Sequence, residues 1–220
     1  MGIGRRDDTP GRSPIEPDQG TSRLSRPSPH GSTAAMTPLL HLWLPTLAAA
    51  GLVFVATAVI HMVLPIHKGD YRKLPDEDGA LDALRRLGVG PGQYMFPCPS
   101  SMADMATPAM LARYQRGPVG TLIVRPSGPM RMGPSLLQWF TFCLVASACA
   151  AYLTGLARAP GAADVFRVAA AAATPAYAFA SVSDSIWKGV SWATTAKFVF
   201  DGLVCAVVTG AAFAWLWPAA

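Results

Sequence analysis

The sequence predicts an all-α membrane protein with four transmembrane helices in an antiparallel bundle and a small αβ insertion between spans one and two. Three observations predict it. Hydrophobic residues make up 51% of the 220-residue chain and charged residues only 14%, against roughly 25% charged in an average soluble domain. The apolar residues gather into four runs, each offering the ~20 residues that a helix needs to cross a bilayer. One polar segment, 66–134, separates the first run from the second, while the later connections are short.

These features also exclude some functions. The net charge of +5 calls for no nucleic-acid partner, because basic loops beside membrane helices already account for it; the expected partners are the lipid bilayer and a membrane protein or a second copy of the chain. Of the four cysteines, Cys143, Cys149 and Cys205 fall in apolar runs and Cys98 in the polar segment. No C-x-x-C pair occurs, so neither a disulfide framework nor a zinc knuckle is indicated. The chain has no H-E-x-x-H, G-x-S-x-G or phosphate-binding loop, and GVGPG at 88–92 reads as a helix stop and turn rather than a nucleotide cradle.

The N-terminal residues 1–35 are rich in Pro, Gly, Ser and charge and nearly free of large apolar residues. Such a stretch buries too little surface to offset its ordering entropy, and disorder is the expectation. Met36 stands immediately before the first apolar run and is an alternative start. Span one is expected within 36–65, with Trp43 as an interfacial aromatic and Pro45 in the early turns that tolerate proline. No small-residue cleavage pattern follows a short apolar core, so the run reads as an anchor.

The insertion, 66–134, carries its own signals. LPDEDGALDALRRLG reads as an amphipathic helix, acidic at its start and basic in its last turn, with Gly88 as the stop. QYMFPCPSS is held extended by Pro97 and Pro99. Thr107 as N-cap and Pro108 at the first helical position begin a second helix ending at Gly117. VGTLIV, rich in β-branched residues, reads as a strand.

Residues 135–220 hold spans two to four. The second, near 136–157, contains Ala146, Ser147, Ala148, Ala150 and Ala151, small enough for close helix contact. The third, near 163–187, is Ala-rich with Pro175 as a kink. The fourth, near 194–218, is apolar yet contains Lys197 and Asp201. Short links make spans two, three and four antiparallel neighbours. Ten Lys and Arg residues in the insertion and the 188–193 turn face four near the spans on the other side. That bias places the insertion in the cytoplasm and both termini outside a bacterial inner membrane.

With this topology His61, Gln138, Asp184, Lys197 and Asp201 all lie near one membrane face, each within about two turns of the boundary. Ionisable side chains in a membrane helix are costly, and several at one depth point to a polar pocket. Lys197 and Asp201, at i,i+4 spacing, also read as an ordinary ion pair, and Asp184 with Lys188 as another. His61 and His67 with Cys98 offer donors for haem or copper. An i,i+6 spacing puts the two imidazoles on different faces of a continuous helix, so a shared metal requires a break, which Pro65 supplies.

The segments HMVLPIHKGDYRKLPDEDGALDAL, GQYMFPCPSSM and SDSIWKGVSW, the last leading into TAKFVFDGLVCAVVTGAAFAWLWP, together resemble a group of small bacterial multi-pass membrane proteins that carry no assigned activity. The similarity runs over most of the chain after Met36 and implies fold and membrane location, without site residues. The functional expectation is therefore an accessory or interaction component of a membrane assembly rather than an enzyme. A proton-coupled transporter using Asp184, Lys197 and Asp201, and a haem or copper redox protein, are the alternatives.

Overall fold

A computed structural model describes residues 1–2 and 39–218; the expectations for 1–35 and for a start at Met36 lie outside the described residues. Four helical segments are long and apolar enough to cross a membrane: Trp43–Val63, Met132–Ala157, Ala162–Lys188 and Trp192–Leu216. The chain is a multi-pass membrane protein, all-α in its spans, with a two-stranded sheet in the insertion.

Span one is helix α1 (Trp43–Ala58) continued by a wide π turn over Val59–Val63, which closes with Leu64 N–H donating to the Val59 carbonyl. Pro65 then ends it. Leu64 is extended, and Pro65–His67 forms a single 3-10 turn that folds the chain back toward the span. Span two is α4 (Met132–Ala157). Span three is α5 (Ala162–Thr174), a π turn at Pro175–Phe179 and α6 (Val182–Lys188), so the expected kink takes the form of a local widening where proline has no N–H to give. Span four is α7 (Trp192–Leu216), capped by Ser191, whose hydroxyl accepts from Thr194 N–H.

The four spans form a closed ring in which α1 packs on α4 and α7, and α5 packs on α4 and α7. Its seam is made of small residues, including Ala49, Ala50, Ala150, Ala169, Ala173 and Ala206, all buried. Large apolar residues such as Leu52, Val145, Leu153 and Val207 are instead exposed on the outside. That inversion fits a lipid-facing bundle, where helices associate through close packing of small side chains rather than by hiding leucines from water. Contact is tightest between α5, its following π turn and α7. A Cβ added to Gly202 would collide with the backbone of Tyr177 and Ala178, and one on Gly210 would lie 2.8 Å from the Phe166 carbonyl. Only glycine permits these two approaches.

In the insertion, α2 (Glu77–Arg86) begins at Asp76, whose carboxylate accepts from Gly79 N–H, and α3 (Pro108–Arg116) begins at Thr107, whose hydroxyl accepts from Met110 N–H. β1 (Gly92–Phe96) and β2 (Gly120–Val124) pair antiparallel with Gly92 opposite Val124 and Phe96 opposite Gly120. The loop that follows β1 is tied down by Asp104, which accepts from the Ser100 N–H and hydroxyl. These bonds, the Ser100 N–H foremost, hold its carboxyl below the usual carboxylate range.

Candidate functional site

The site is built where the first and last spans meet. The π turn at the end of α1 carries His61, and the fold-back after Pro65 returns His67 onto it. The two rings stack with centroids 4.5 Å apart and planes 6° from parallel. The break at Leu64 and Pro65 thus overrides the i,i+6 geometry of a continuous helix. Phe198, one turn before Asp201 on α7, flanks both rings at 6.2 Å and 5.1 Å.

Asp201 is the acidic centre, its side chain only 6% exposed. Its Oδ2 lies 2.7 Å from His67 Nε2 and 4.0 Å from His61 Nε2. Each imidazole is anchored by its other nitrogen. His61 Nδ1 is 3.1 Å from the Thr57 carbonyl, which accepts only, so Nδ1 donates there and Nε2 is the nitrogen turned toward Asp201. His67 Nδ1 donates to Asp70 Oδ2 at 2.6 Å, and Lys197 Nζ donates to Asp70 Oδ1 at 2.6 Å. Asp70, with 3% side-chain exposure, is thus clamped on both oxygens. The Lys197 hydrogen bond, reinforced by His67 and opposed by burial, holds its carboxyl below the usual carboxylate range.

His67 Nε2 sits between two possibilities. It either donates its own proton to Asp201 Oδ2 or, as a lone pair, shares a cation with that oxygen. One donor atom each from His61, His67 and Asp201 lies within 4.8 Å of the others. In a tetrahedral zinc centre with ~2.0–2.1 Å bonds, donor atoms are about 3.3 Å apart. The two distances to Asp201 Oδ2, 2.7 Å from His67 and 4.0 Å from His61, lie on either side of that value, and the stacked rings would have to rotate out of parallel to share an ion.

Not every residue expected at this level joins it. Gln138 is exposed and makes no bond to the site; its neighbour Trp139, also partly exposed at 36%, reaches span one and donates from Nε1 to the Thr57 hydroxyl at 2.9 Å. Asp184 pairs with Lys188 at 2.7 Å on the half-exposed side of α6, so the network of Asp184, Lys197 and Asp201 does not form. Lys197 reaches Asp70 instead of Asp201, because the chain after His67 lies alongside the start of α7. Cys98 is exposed in the insertion, and its thiol's hydrogen bond is to the adjacent Pro99 carbonyl. Without it the remaining donors are nitrogen and oxygen, a set that suits zinc-class ions better than Cu(I). Stacked imidazoles, moreover, cannot flank a porphyrin plane from opposite sides, so the pair does not fit bis-histidine haem. Asp70 is the participant that sequence reasoning missed; the H-x-x-D spacing from His67 to Asp70 was the available signal.

A cavity of about 450 Å³ opens beside the site, bordered by Phe54, His61, Trp139, Tyr177, Ser181 and Asp201 among others. A second pocket, with Asp70, Tyr71, Asp184 and Thr194 on its walls, shares Ser181 and Phe198 with the first. Comparison with family models, curated proteins and solved structures gives no match for this chain.

Proposed function

We propose that the chain is an integral membrane metal-binding protein in which His61, His67 and Asp201 hold one divalent cation of the zinc class at the end of spans one and four. One observation carries the reading. Both histidines are oriented through Nδ1, by a backbone carbonyl and by the carboxylate of Asp70, and this leaves Nε2 of each beside Asp201 Oδ2. Metal-ligating histidines are held in this manner, because the bond at one nitrogen fixes the tautomer and the ring at the other. Three protein ligands leave a fourth position of a tetrahedral ion free for water or a ligand.

Membership of the group of small bacterial proteins that the sequence resembles, and placement in an inner membrane with the insertion cytoplasmic, belong to the same proposal; the basic excess in the insertion supports that orientation. An accessory role within a larger assembly is compatible with metal binding. Leu81 on α2 and Leu87 just after it remain exposed, as do Met102 and Ile123, and these give the insertion apolar surface for a partner.

The test is metal content. Protein purified in detergent, stripped with chelator and reloaded with zinc is expected to retain one ion per chain after desalting, measured by elemental mass spectrometry. The His61→Ala and His67→Ala variants are expected to retain less than a tenth as much at equal free zinc. Equal retention by wild type and both variants refutes the reading.

A further inference from the structure

The cavity beside Asp201 has two chemically distinct parts. Most of its wall is apolar, from Phe54 and Met62 on span one, Leu136 and Phe142 on span two, and Phe198 on span four. At one end it meets Asp201 and Ser181, and there two buried oxygens lack partners: Asp201 Oδ1 and Ser181 Oγ. A buried carboxylate oxygen without a donor is costly, and a carboxylate can only accept. An occupant that brings a hydrogen-bond donor to that end and apolar bulk to the rest would match both parts. Neither lysine nor arginine lines the cavity among the described residues. A carboxylate or phosphate head would therefore meet Asp201 with no lysine or arginine in the wall to pair with it, whereas a neutral hydroxyl can donate to Asp201.

The walls also favour a ring over a plain chain. Trp139 stacks on Phe142 at 5.3 Å, and Phe142 meets Tyr177 edge-on at 5.8 Å, so aromatic faces and edges are both presented to the space. A further ring packs against such a surface with more than its area of burial to gain. The volume of 450 Å³ falls within the usual range for small-molecule sites. From these observations we infer that the cavity binds a bilayer-dissolved phenol or quinol, an amphiphile with an alkyl or prenyl tail whose aromatic hydroxyl donates to Asp201 Oδ1. The inference goes beyond the metal reading. It uses the Asp201 oxygen that faces neither histidine, and it requires no ion.

Native mass spectrometry of the full chain released from detergent micelles tests it, with 4-dodecylphenol, dodecanol and dodecylbenzene at matched concentrations in EDTA. The phenol is expected to reach half-occupancy at a concentration at least about tenfold lower than either of the others. In Asp201→Ala that preference is expected to vanish while dodecylbenzene occupancy is unchanged. A phenol that binds no more tightly than dodecylbenzene or dodecanol overturns the inference, as does an Asp201→Ala protein that keeps the preference. Should Asp201→Ala give no folded protein, Ser181→Ala takes its place, with the preference expected to drop about threefold and an unchanged preference counting against the site. Because chelator is present throughout, a failure to bind zinc in the separate metal experiment leaves this result untouched.

Discussion

His67 and Asp70 form a hydrogen bond of 2.6 Å across a three-residue turn, and the other oxygen of Asp70 is taken by Lys197 from the far end of the chain. The bond fixes the proton of His67 on Nδ1 and aims Nε2 at Asp201. Asp70 touches no ion in the proposed centre, yet it sets the direction of one ligand. Asp70→Asn is therefore expected to lower zinc affinity by about 10- to 100-fold, measured by competition with a chromophoric chelator. Circular dichroism of the spans should stay unchanged.

Lys197 is held within the bundle by that same carboxylate. Its replacement by methionine leaves Asp70 buried beside His67 alone. Breaking a buried pair costs about 3–5 kcal/mol, and the partial exposure of Lys197, 32% at the side chain, reduces this to about 2 kcal/mol. Thermal unfolding in nanodiscs should show the loss. The double variant Lys197→Met with Asp70→Asn should recover part of it, because no uncompensated charge remains.

Acid sensitivity follows from the direction of the Asp70 shift. The Lys197 hydrogen bond holds its carboxyl below the usual carboxylate range. A carboxylate depressed on folding contributes stability that is complete above its unfolded value and lost as pH falls through the folded one. Melting temperature is expected to be insensitive to Asp70 above about pH 5 and to decline as pH falls from about 3.9, the value in the unfolded chain, toward the lower folded one. Asp70→Asn should flatten that decline, leaving the contribution of Asp104, whose carboxyl is lowered by Ser100.

Gly202 sits beside Asp201 where α7 crosses the π turn of span three. An alanine methyl there meets backbone rather than a movable side chain. Gly202→Ala is expected to destabilise the protein by about 2–3 kcal/mol and to weaken zinc retention by displacing Asp201. Detergent-resistance melting and metal content on the same samples check both effects.

Cys98→Ala should leave metal retention unaltered, since its thiol lies exposed in the insertion. Elemental analysis of the variant decides this, and maleimide labelling of the parent should mark Cys98.

Much of this architecture was legible in advance because it depends on local chemistry. Apolar run length marks the spans, Asp76 and Thr107 mark the helix starts in the insertion, and β-branched residues mark β2. The depth of His61, Lys197 and Asp201 could also be read, since rise per residue converts position into height. Azimuth could not. Gln138 and Trp139 are neighbours in sequence, and only packing decides that Trp139 is the one to reach Thr57 on span one. The i,i+4 rule paired Lys197 with Asp201, but the short turn after Pro65 delivers a second carboxylate, Asp70, that competes successfully for the ammonium. Asp184 reads as a member by depth, although a surface lysine one turn along its own helix satisfies it.

The joining of the first and last spans at Asp201 has a consequence for biogenesis. His61 and His67 leave the ribosome well over a hundred residues ahead of Asp201. Throughout that interval two imidazoles wait without their carboxylate, while Asp70 waits for Lys197. The centre comes into being only when the fourth span docks, so occupancy by an ion would report that insertion of the whole bundle has finished.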